Sequence, residues 1–137
     1  MTRLALPVAG LGCASLGRPE TSDDEAVATL GAALDAGIGY LDMAPLYGCG
    51  LAERRAGRAL AAHAGLRPLI STKVGYVIDV PEGSYLPPAD RRTDYSRDGV
   101  RRSLARSLER IGVDRVDLAY IHGPDGVPDQ AERAFEA

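Results

Sequence analysis

Four polar side chains in this sequence have complementary chemistry: a carboxylate, a phenol, an amine and an imidazole, at Asp42, Tyr47, Lys73 and His122. A free phenol has a pKa of about 10, which is too high for efficient proton transfer near neutral pH. An ammonium about 4 Å from a phenol, at an effective dielectric of about 20, stabilises the phenolate by roughly 4 kcal/mol. The set therefore suits proton transfer to a carbonyl oxygen as hydride reaches its carbon, or the reverse. Asp42 would keep Lys73 charged, and His122 would hydrogen-bond the substrate oxygen.

Each of the four residues also has an ordinary structural explanation when it is taken alone. Asp42 could cap a helix, Tyr47 could fill a turn, Lys73 could be a solvated ion, and His122 could be a hydrogen-bonded residue at a sheet edge. Lys73 is, however, the only lysine among the 16 basic residues. The four together, near the ends of successive strands, favour a shared chemical role.

The elements that must position these residues alternate between short apolar runs and helical patterns. The predicted strands are Val8–Gly12, Ile38–Asp42, Pro68–Gly75 and Val116–His122. A capping box at Ser22 and Glu25 starts the first predicted helix, which stops at Gly37. Further helices are predicted at 51–64, from Ser96, and in the stretch "PDQAERAFEA". This alternation predicts parallel strands joined by right-handed crossovers.

Two α/β folds fit that pattern. A doubly wound dinucleotide-binding sheet carries G-x-G-x-x-G after its first strand, but here Ser15 stands at the place of the third glycine. A (β/α) barrel instead collects functional residues from the carboxyl ends of several strands on one rim. In a parallel barrel, Asp42, Lys73 and His122, near three strand ends, and Tyr47 would face the same rim.

Composition excludes several other classes of protein. The net charge is -3 with scattered basic residues, so neither a nucleic-acid-binding stripe nor a membrane-binding face is expected. Cys13 and Cys49 have no zinc-ligand spacing and form no disulfide pattern, so no metal site is expected and a reducing cytoplasm is the expected location. No apolar run approaches the ~18 residues of a membrane span.

Several stretches of the sequence resemble the N-terminal part of the aldo/keto reductase family. They are Gly10-Leu-Gly12, "YLDMAPLYG", "ERRAGRAL", "STKVG" and "SLERIGVDRVDLAYIHGPD". The resemblance implies a (β/α)8 TIM barrel that uses NADP or NAD, with a catalytic tetrad at Asp42, Tyr47, Lys73 and His122. Within the family, "APLYGCGLAERRAGRAL" and "DYSRDGVRRSL" resemble the branch of aldose dehydrogenases (L-fucose, D-threo-aldose) and pyridoxal dehydrogenases. Gly123 departs from that branch, which usually carries an acid there.

A complete barrel has eight strands and about 250 residues, so residues 1–137 are expected to be a single N-terminal half-barrel of about four β/α units. The family's contacts to the nucleotide cofactor come mostly from later strands, so no cofactor-binding residue is assigned. Two hypotheses stay open. The chain is an NAD(P)-dependent oxidoreductase acting on a small carbonyl or sugar substrate, or it is an inactive half-barrel that acts only as an interaction or remnant protein. Self-association through open barrel edges is also expected.

Overall fold

Four parallel strands with three helices packed on one face form the body of the chain. The computed structural model describes residues 5–124 and residue 132. The strands are β1 Leu11–Gly12, β2 Tyr40–Asp42, β3 Leu69–Val74, β4 Tyr76–Val77, β5 Arg92–Thr93 and β6 Leu118–Ile121. The helices are α1 Asp23–Asp35, α2 Leu51–Ala62 and α3 Arg97–Ile111. The main sheet has the order β1-β2-β3-β6, and β4 and β5 form a separate antiparallel hairpin.

Serine side chains begin two of the helices. The Ser22 hydroxyl accepts from the Glu25 amide at 3.2 Å, and the Glu25 carboxylate accepts from the Ser22 amide, which confirms the predicted capping box. Ser96 accepts from the Gly99 amide at 3.1 Å at the start of α3. α3 ends at Gly112, whose φ of 74° is a left-handed conformation that glycine adopts without strain.

The two faces of the main sheet differ in composition because strand side chains alternate. The face under the helices carries apolar residues that join α1, α2 and α3 in one buried cluster. Its members are Cys13, Leu16, Ala26, Leu30, Leu34, Leu41, Met43, Ala56, Ala59, Ile70 and Ile111. The other face, here called the inner face, carries polar residues from β2, β3 and β6, among them Asp42, Lys73 and Tyr120.

Some predicted elements differ from the observed ones. β1 begins only at Leu11, and Val8 is fully exposed, because the chain before Leu11 has no strand partner in the described residues. The long irregular segment after β3 contains the β4–β5 hairpin, which the sequence pattern did not indicate. The predicted fourth helix lies outside the described residues, apart from Glu132. Self-association through the edge strands β1 and β6 stays a prediction.

None of the helices in the described part of the chain is long and apolar enough to cross a membrane.

A buried ionic cluster joins α2, α3 and β3 on the helix-facing side of the sheet. Glu53 is fully buried, and its carboxylate accepts from Thr72 Oγ1 at 2.6 Å and from Arg110 Nε at 2.7 Å. Arg110 Nη2 lies 2.6 Å from the same carboxylate. The cluster therefore fixes two helices against the strand that carries Lys73.

We expect Glu53→Gln to destabilise the chain by about 3 kcal/mol, because it leaves the Arg110 guanidinium largely buried without its counter-charge. Urea unfolding monitored by circular dichroism measures this loss. The matched control is Glu109→Gln, which neutralises an exposed glutamate of α3. A Glu53→Gln variant whose stability equals that of the control would contradict the assigned role of the cluster.

Candidate active site

The structure brings the four side chains singled out in the sequence together at one end of the sheet. Asp42 ends β2, Lys73 lies one residue before the end of β3, and His122 follows β6 directly. Tyr47 lies in the loop between β2 and α2. Lys73 Nζ lies 2.9 Å from each carboxylate oxygen of Asp42 and 3.0 Å from the Tyr47 hydroxyl. The rings of Tyr47 and His122 are 6.4 Å apart between centroids, at 81°.

The Lys73 ammonium is the centre of this arrangement. Besides Asp42 and Tyr47, it donates to the carbonyl oxygen of Met43 at 2.9 Å. Burial of the ammonium lowers its pKa, but the hydrogen bonds to Tyr47 and Asp42 outweigh burial and leave the pKa above its ordinary value. Lys73 therefore stays a cation across the neutral pH range.

Lys73 donates to the Tyr47 oxygen, so the hydroxyl proton of Tyr47 remains available for another acceptor. No acceptor for that proton lies within hydrogen-bond distance among the described residues. The phenol can therefore give its proton to a bound oxygen while the adjacent ammonium stabilises the phenolate that forms.

A close contact between two loops positions Tyr47. Gly48, Cys49 and Gly50 all have positive φ, at 61°, 51° and 100°, and turn the chain into α2. A Cβ at Gly48 would overlap the carbonyl oxygen of Gly17, so only glycine lets the loop after β1 pack against the Tyr47 loop. The Gly48 carbonyl also accepts from the Gly83 amide at 2.8 Å, which ties in the long segment after β3.

His122 is held by its backbone and lies between two tyrosines. Its amide donates to Val74 O at 2.9 Å, and the buried Tyr95 hydroxyl donates to the His122 carbonyl at 2.7 Å. The Tyr76 ring contacts the imidazole edge-on, with centroids 5.0 Å apart. Burial, with the positive charges of Lys73 and Arg91, lowers the pKa of His122 below its ordinary value, although Asp42 opposes the shift. The imidazole is therefore neutral at pH 7.

The backbone conformation at residue 123 favours the glycine that was noted in the sequence as a departure from the aldose dehydrogenase branch. Its φ of 64° favours glycine, and a Cβ there would lie 2.9 Å from the Tyr76 hydroxyl. The position that Tyr76 takes beside His122 therefore depends on a glycine at 123.

Sequence reasoning missed several residues that support the four. Ser71 is fully buried on β3 and hydrogen-bonds Asp42, and Tyr40 on β2 hydrogen-bonds Ser71. Strand alternation could have indicated both, because each lies two residues before a predicted site residue on the same strand. No local pattern indicated Tyr95, whose contact with His122 joins residues 27 positions apart.

A cavity of about 830 Å³ lies beside the site, between the β4–β5 hairpin and α3. It is lined by several arginines, but these already have partners: Arg92 pairs with Asp79, Arg102 with Asp94, and Arg110 with Glu53. Tyr76 is the lining residue that also contacts His122. The chemistry of the four residues therefore lies on the sheet rim and not in this cavity.

Comparisons with known proteins give matches over most of the chain. Residues 9–136 match the model of the aldo/keto reductase family. The chain is 41% identical over 136 residues to D-threo-aldose 1-dehydrogenase from a Pseudomonas species, covering 89% of this chain and 41% of the relative. It is 38% identical over 140 residues to pyridoxal 4-dehydrogenase from Microbacterium luteolum, covering 88% of this chain and 41% of the relative. The chain thus spans about two fifths of the length of these curated relatives.

Solved structures match as well. A putative aldo-keto reductase from Pseudomonas aeruginosa superposes with a TM-score of 0.74 at 33% identity, over 94% of this chain and 47% of the other. An aldo-keto reductase from Bacillus halodurans in its holo form gives a TM-score of 0.70 at 32% identity, over 93% and 40%. The four parallel strands and their helices therefore correspond to part of a (β/α)8 barrel.

We expect the His122 imidazole to titrate below pH 6.5, its ordinary value, because burial and the positive charges of Lys73 and Arg91 oppose protonation. Proton NMR can follow this directly, since the chain has two histidines and His63→Gln assigns the signals. The shift contributes stability that is present above pH 6.5 and is lost as pH falls through the folded pKa. A His122 titration at or above pH 6.5 would show that the imidazole is not shielded as described.

Proposed function

Because this chain belongs to the aldo/keto reductase family, we propose that it carries the proton-transfer half of an NAD(P)-dependent oxidoreductase site. The reaction interconverts a carbonyl and an alcohol, and the proposed catalytic residues are Asp42, Tyr47, Lys73 and His122. The observation that carries the proposal is the Tyr47 hydroxyl, 3.0 Å from the ammonium of a lysine that also pairs with Asp42.

The four side chains perform one half of the reaction. In the reducing direction, Tyr47 gives its hydroxyl proton to the carbonyl oxygen as the new carbon–hydrogen bond forms. The Lys73 ammonium stabilises the resulting phenolate, and Asp42 keeps that ammonium charged and in place. Neutral His122 hydrogen-bonds the same substrate oxygen and orients it. In the oxidising direction the phenolate takes the proton from the alcohol.

The residues present fit a nicotinamide cofactor at its reacting end. None of the four side chains can carry a hydride, so the hydride must come from a cofactor. The available phenolic proton of Tyr47 lies beside the His122 imidazole, which has no hydrogen-bond partner among the described residues. A bound nicotinamide supplies or accepts the hydride. Tyr47 and His122 would lie nearest its reacting end, and no described residue is assigned to its nucleotide portion, so NAD and NADP remain alternatives.

The substrate class is a small carbonyl compound, and we propose an aldose or another aldehyde. This rests on the similarity to D-threo-aldose 1-dehydrogenase and pyridoxal 4-dehydrogenase. The clustered side chains favour this enzymatic hypothesis over that of an inactive half-barrel. Fluorescence titration with NADPH and with NADH separates the two hypotheses, because an inactive remnant has no reason to retain the binding of either.

Tyr47→Phe tests the proposed proton donor. In an active form of the protein, either this chain or a longer polypeptide that contains it, we expect turnover to fall by about 10²- to 10⁴-fold, because only the proton path is removed. Cofactor affinity, measured by fluorescence, stays close to that of the parent protein. The control is Tyr85→Phe, which removes a hydroxyl from a tyrosine that is 77% exposed. Turnover of Tyr47→Phe within tenfold of the parent would refute the assignment.

The segment from Tyr76 to Tyr95 is expected to shape the substrate pocket, since it is anchored to the Tyr47 loop through Gly83 and carries Tyr76 beside His122. Replacing Tyr76 with Ala removes that wall, so we expect the ratio of kcat/KM between a hexose and a short aldehyde to change by about tenfold. Tyr76→Phe keeps the ring and preserves the ratio. Equal ratios in the parent and the Ala variant would contradict a role in specificity.

A further inference from the structure

Two hydroxyl groups, one on the buried Ser71 and one on the half-buried Tyr40, extend the hydrogen-bonded network beyond the four residues. Ser71 Oγ lies 2.8 Å from Asp42 Oδ1, and Tyr40 Oη lies 2.8 Å from Ser71 Oγ. A carboxylate can only accept, so Ser71 must donate to Asp42. That leaves the Ser71 oxygen to accept from Tyr40. In the hydrogen-bonded series Tyr40–Ser71–Asp42, the two hydroxyl protons therefore both point toward the carboxylate.

Strand register places this hydrogen-bonded series of side chains on the inner face. Tyr40 and Asp42 are two residues apart on β2, Ser71 and Lys73 are two apart on β3, and Asp42 pairs with Ser71 across the ladder. All four side chains therefore project from the same side of the sheet. Ser71 is fully buried although it lies on the face away from the helices.

The Ser71 hydroxyl has one proton and two acceptors within reach. The Leu41 carbonyl lies at 3.5 Å, whereas Asp42 Oδ1 lies at 2.8 Å and is charged, so the proton goes to Asp42. Burial raises the pKa of Tyr40, and its hydrogen bond to Tyr120 and the charge of Asp42 raise it further, while the hydrogen bond to Ser71 opposes the shift. The Tyr40 hydroxyl therefore stays protonated and can donate to Ser71. The Ser71 hydroxyl thus has one geometrically preferred acceptor, Asp42, and its oxygen is free to accept from Tyr40.

Asp42 Oδ1 is shared between Ser71 Oγ and Lys73 Nζ, and Oδ2 also accepts from Lys73. The terminal torsion of an aspartate is soft, so Lys73 alone does not fix the carboxylate plane. Ser71, buried on the neighbouring strand, supplies a second hydrogen-bond donor in a fixed position. With both donors in place, the two carboxylate oxygens stay equidistant from Nζ.

We propose that Ser71, itself oriented by Tyr40, is a positioning residue that fixes the Asp42 carboxylate and, through it, the Lys73–Tyr47 pair. Its catalytic consequence rests on the function proposed above, but its structural consequence does not. Neither hydroxyl contacts the reacting atoms.

The single lysine of this chain provides a direct test that needs no turnover. Protein labelled with ¹³C-lysine gives one Cε signal, whose titration reports the pKa of Lys73. Asp42, Tyr47, His122 and Cys13 are the titratable groups that interact with this ammonium. Losing the Ser71 donor lets the carboxylate rotate away from Nζ, so Ser71→Ala should lower the Lys73 pKa by about half a unit to one unit.

Tyr40→Phe is the second variant, because it keeps the half-buried ring and removes only the hydroxyl that donates to Ser71. We expect a smaller decrease in the Lys73 pKa, and the double variant should match Ser71→Ala, since the two hydroxyls act in series. The control is Ser103→Ala, which removes a serine hydroxyl that has no partner among the described residues. A Lys73 pKa that is unchanged or higher in both single variants, or additive decreases in the double variant, would overturn the proposal.

In an active form of the protein, Ser71→Ala should lower kcat about tenfold, with KM and cofactor affinity within about twofold, and should increase the solvent deuterium isotope effect. A loss of packing alone would not raise that isotope effect, and an unchanged isotope effect would count against the positioning role. The proposed function and the positioning role of Ser71 can be contradicted independently of each other. Full turnover of Tyr47→Phe contradicts the proposed function, whereas an unaltered Lys73 titration contradicts the role of Ser71.

Discussion

The ion pair between Lys73 and Asp42 is the interaction on which the rest of the site depends. The lysine side chain is 16% exposed, so its charge is retained only because hydrogen bonds to Asp42, Tyr47 and Met43 replace lost water. The register of β2 with β3 supplies these partners from one strand end and its following loop. Asp42 also acts on the opposite face, where burial and then its charge raise the pKa of Cys13 to about 12 and keep that thiol neutral. Among the described residues, Asp42 is the carboxylate that pairs with Lys73.

β3 contributes Lys73 to this pair on one face and contacts a structural ion pair on the other. Lys73 and Ser71 project inward, while Thr72 between them bonds the buried Glu53–Arg110 pair of α2 and α3. The position of Lys73 is therefore coupled to helix packing through a single residue. A similar coupling holds Tyr47: the buried Arg55 donates to the carbonyls of Leu16 and Thr21, each at 2.6 Å, and fixes the turn on which Gly48 packs.

The sequence was sufficient to predict the order of the main-sheet strands and of α1, α2 and α3, the caps at Ser22 and Ser96, and which four side chains would lie near one another. Those features depend on local patterns and on the rule that parallel strands end at the same rim. The β4–β5 hairpin was not predictable, because its two-residue strands at Tyr76 and Arg92 are separated by a long irregular stretch. Tyr95 and the Glu53 cluster were missed for a related reason: each depends on contacts between residues distant in sequence.

The electrostatics of the rim also decide which group would move the proton under the proposed function. Burial and then the Lys73 charge, which would also stabilise a phenolate at Tyr47, lower the pKa of His122, so two cations are not held side by side. At neutral pH the imidazole therefore has no spare proton to transfer, although its N–H can still donate a hydrogen bond. Lys73 is a poor acid because its pKa is raised, and Asp42 is already occupied by Lys73 and Ser71. Tyr47 remains, with a proton that no described group accepts and an adjacent cation ready to stabilise its anion.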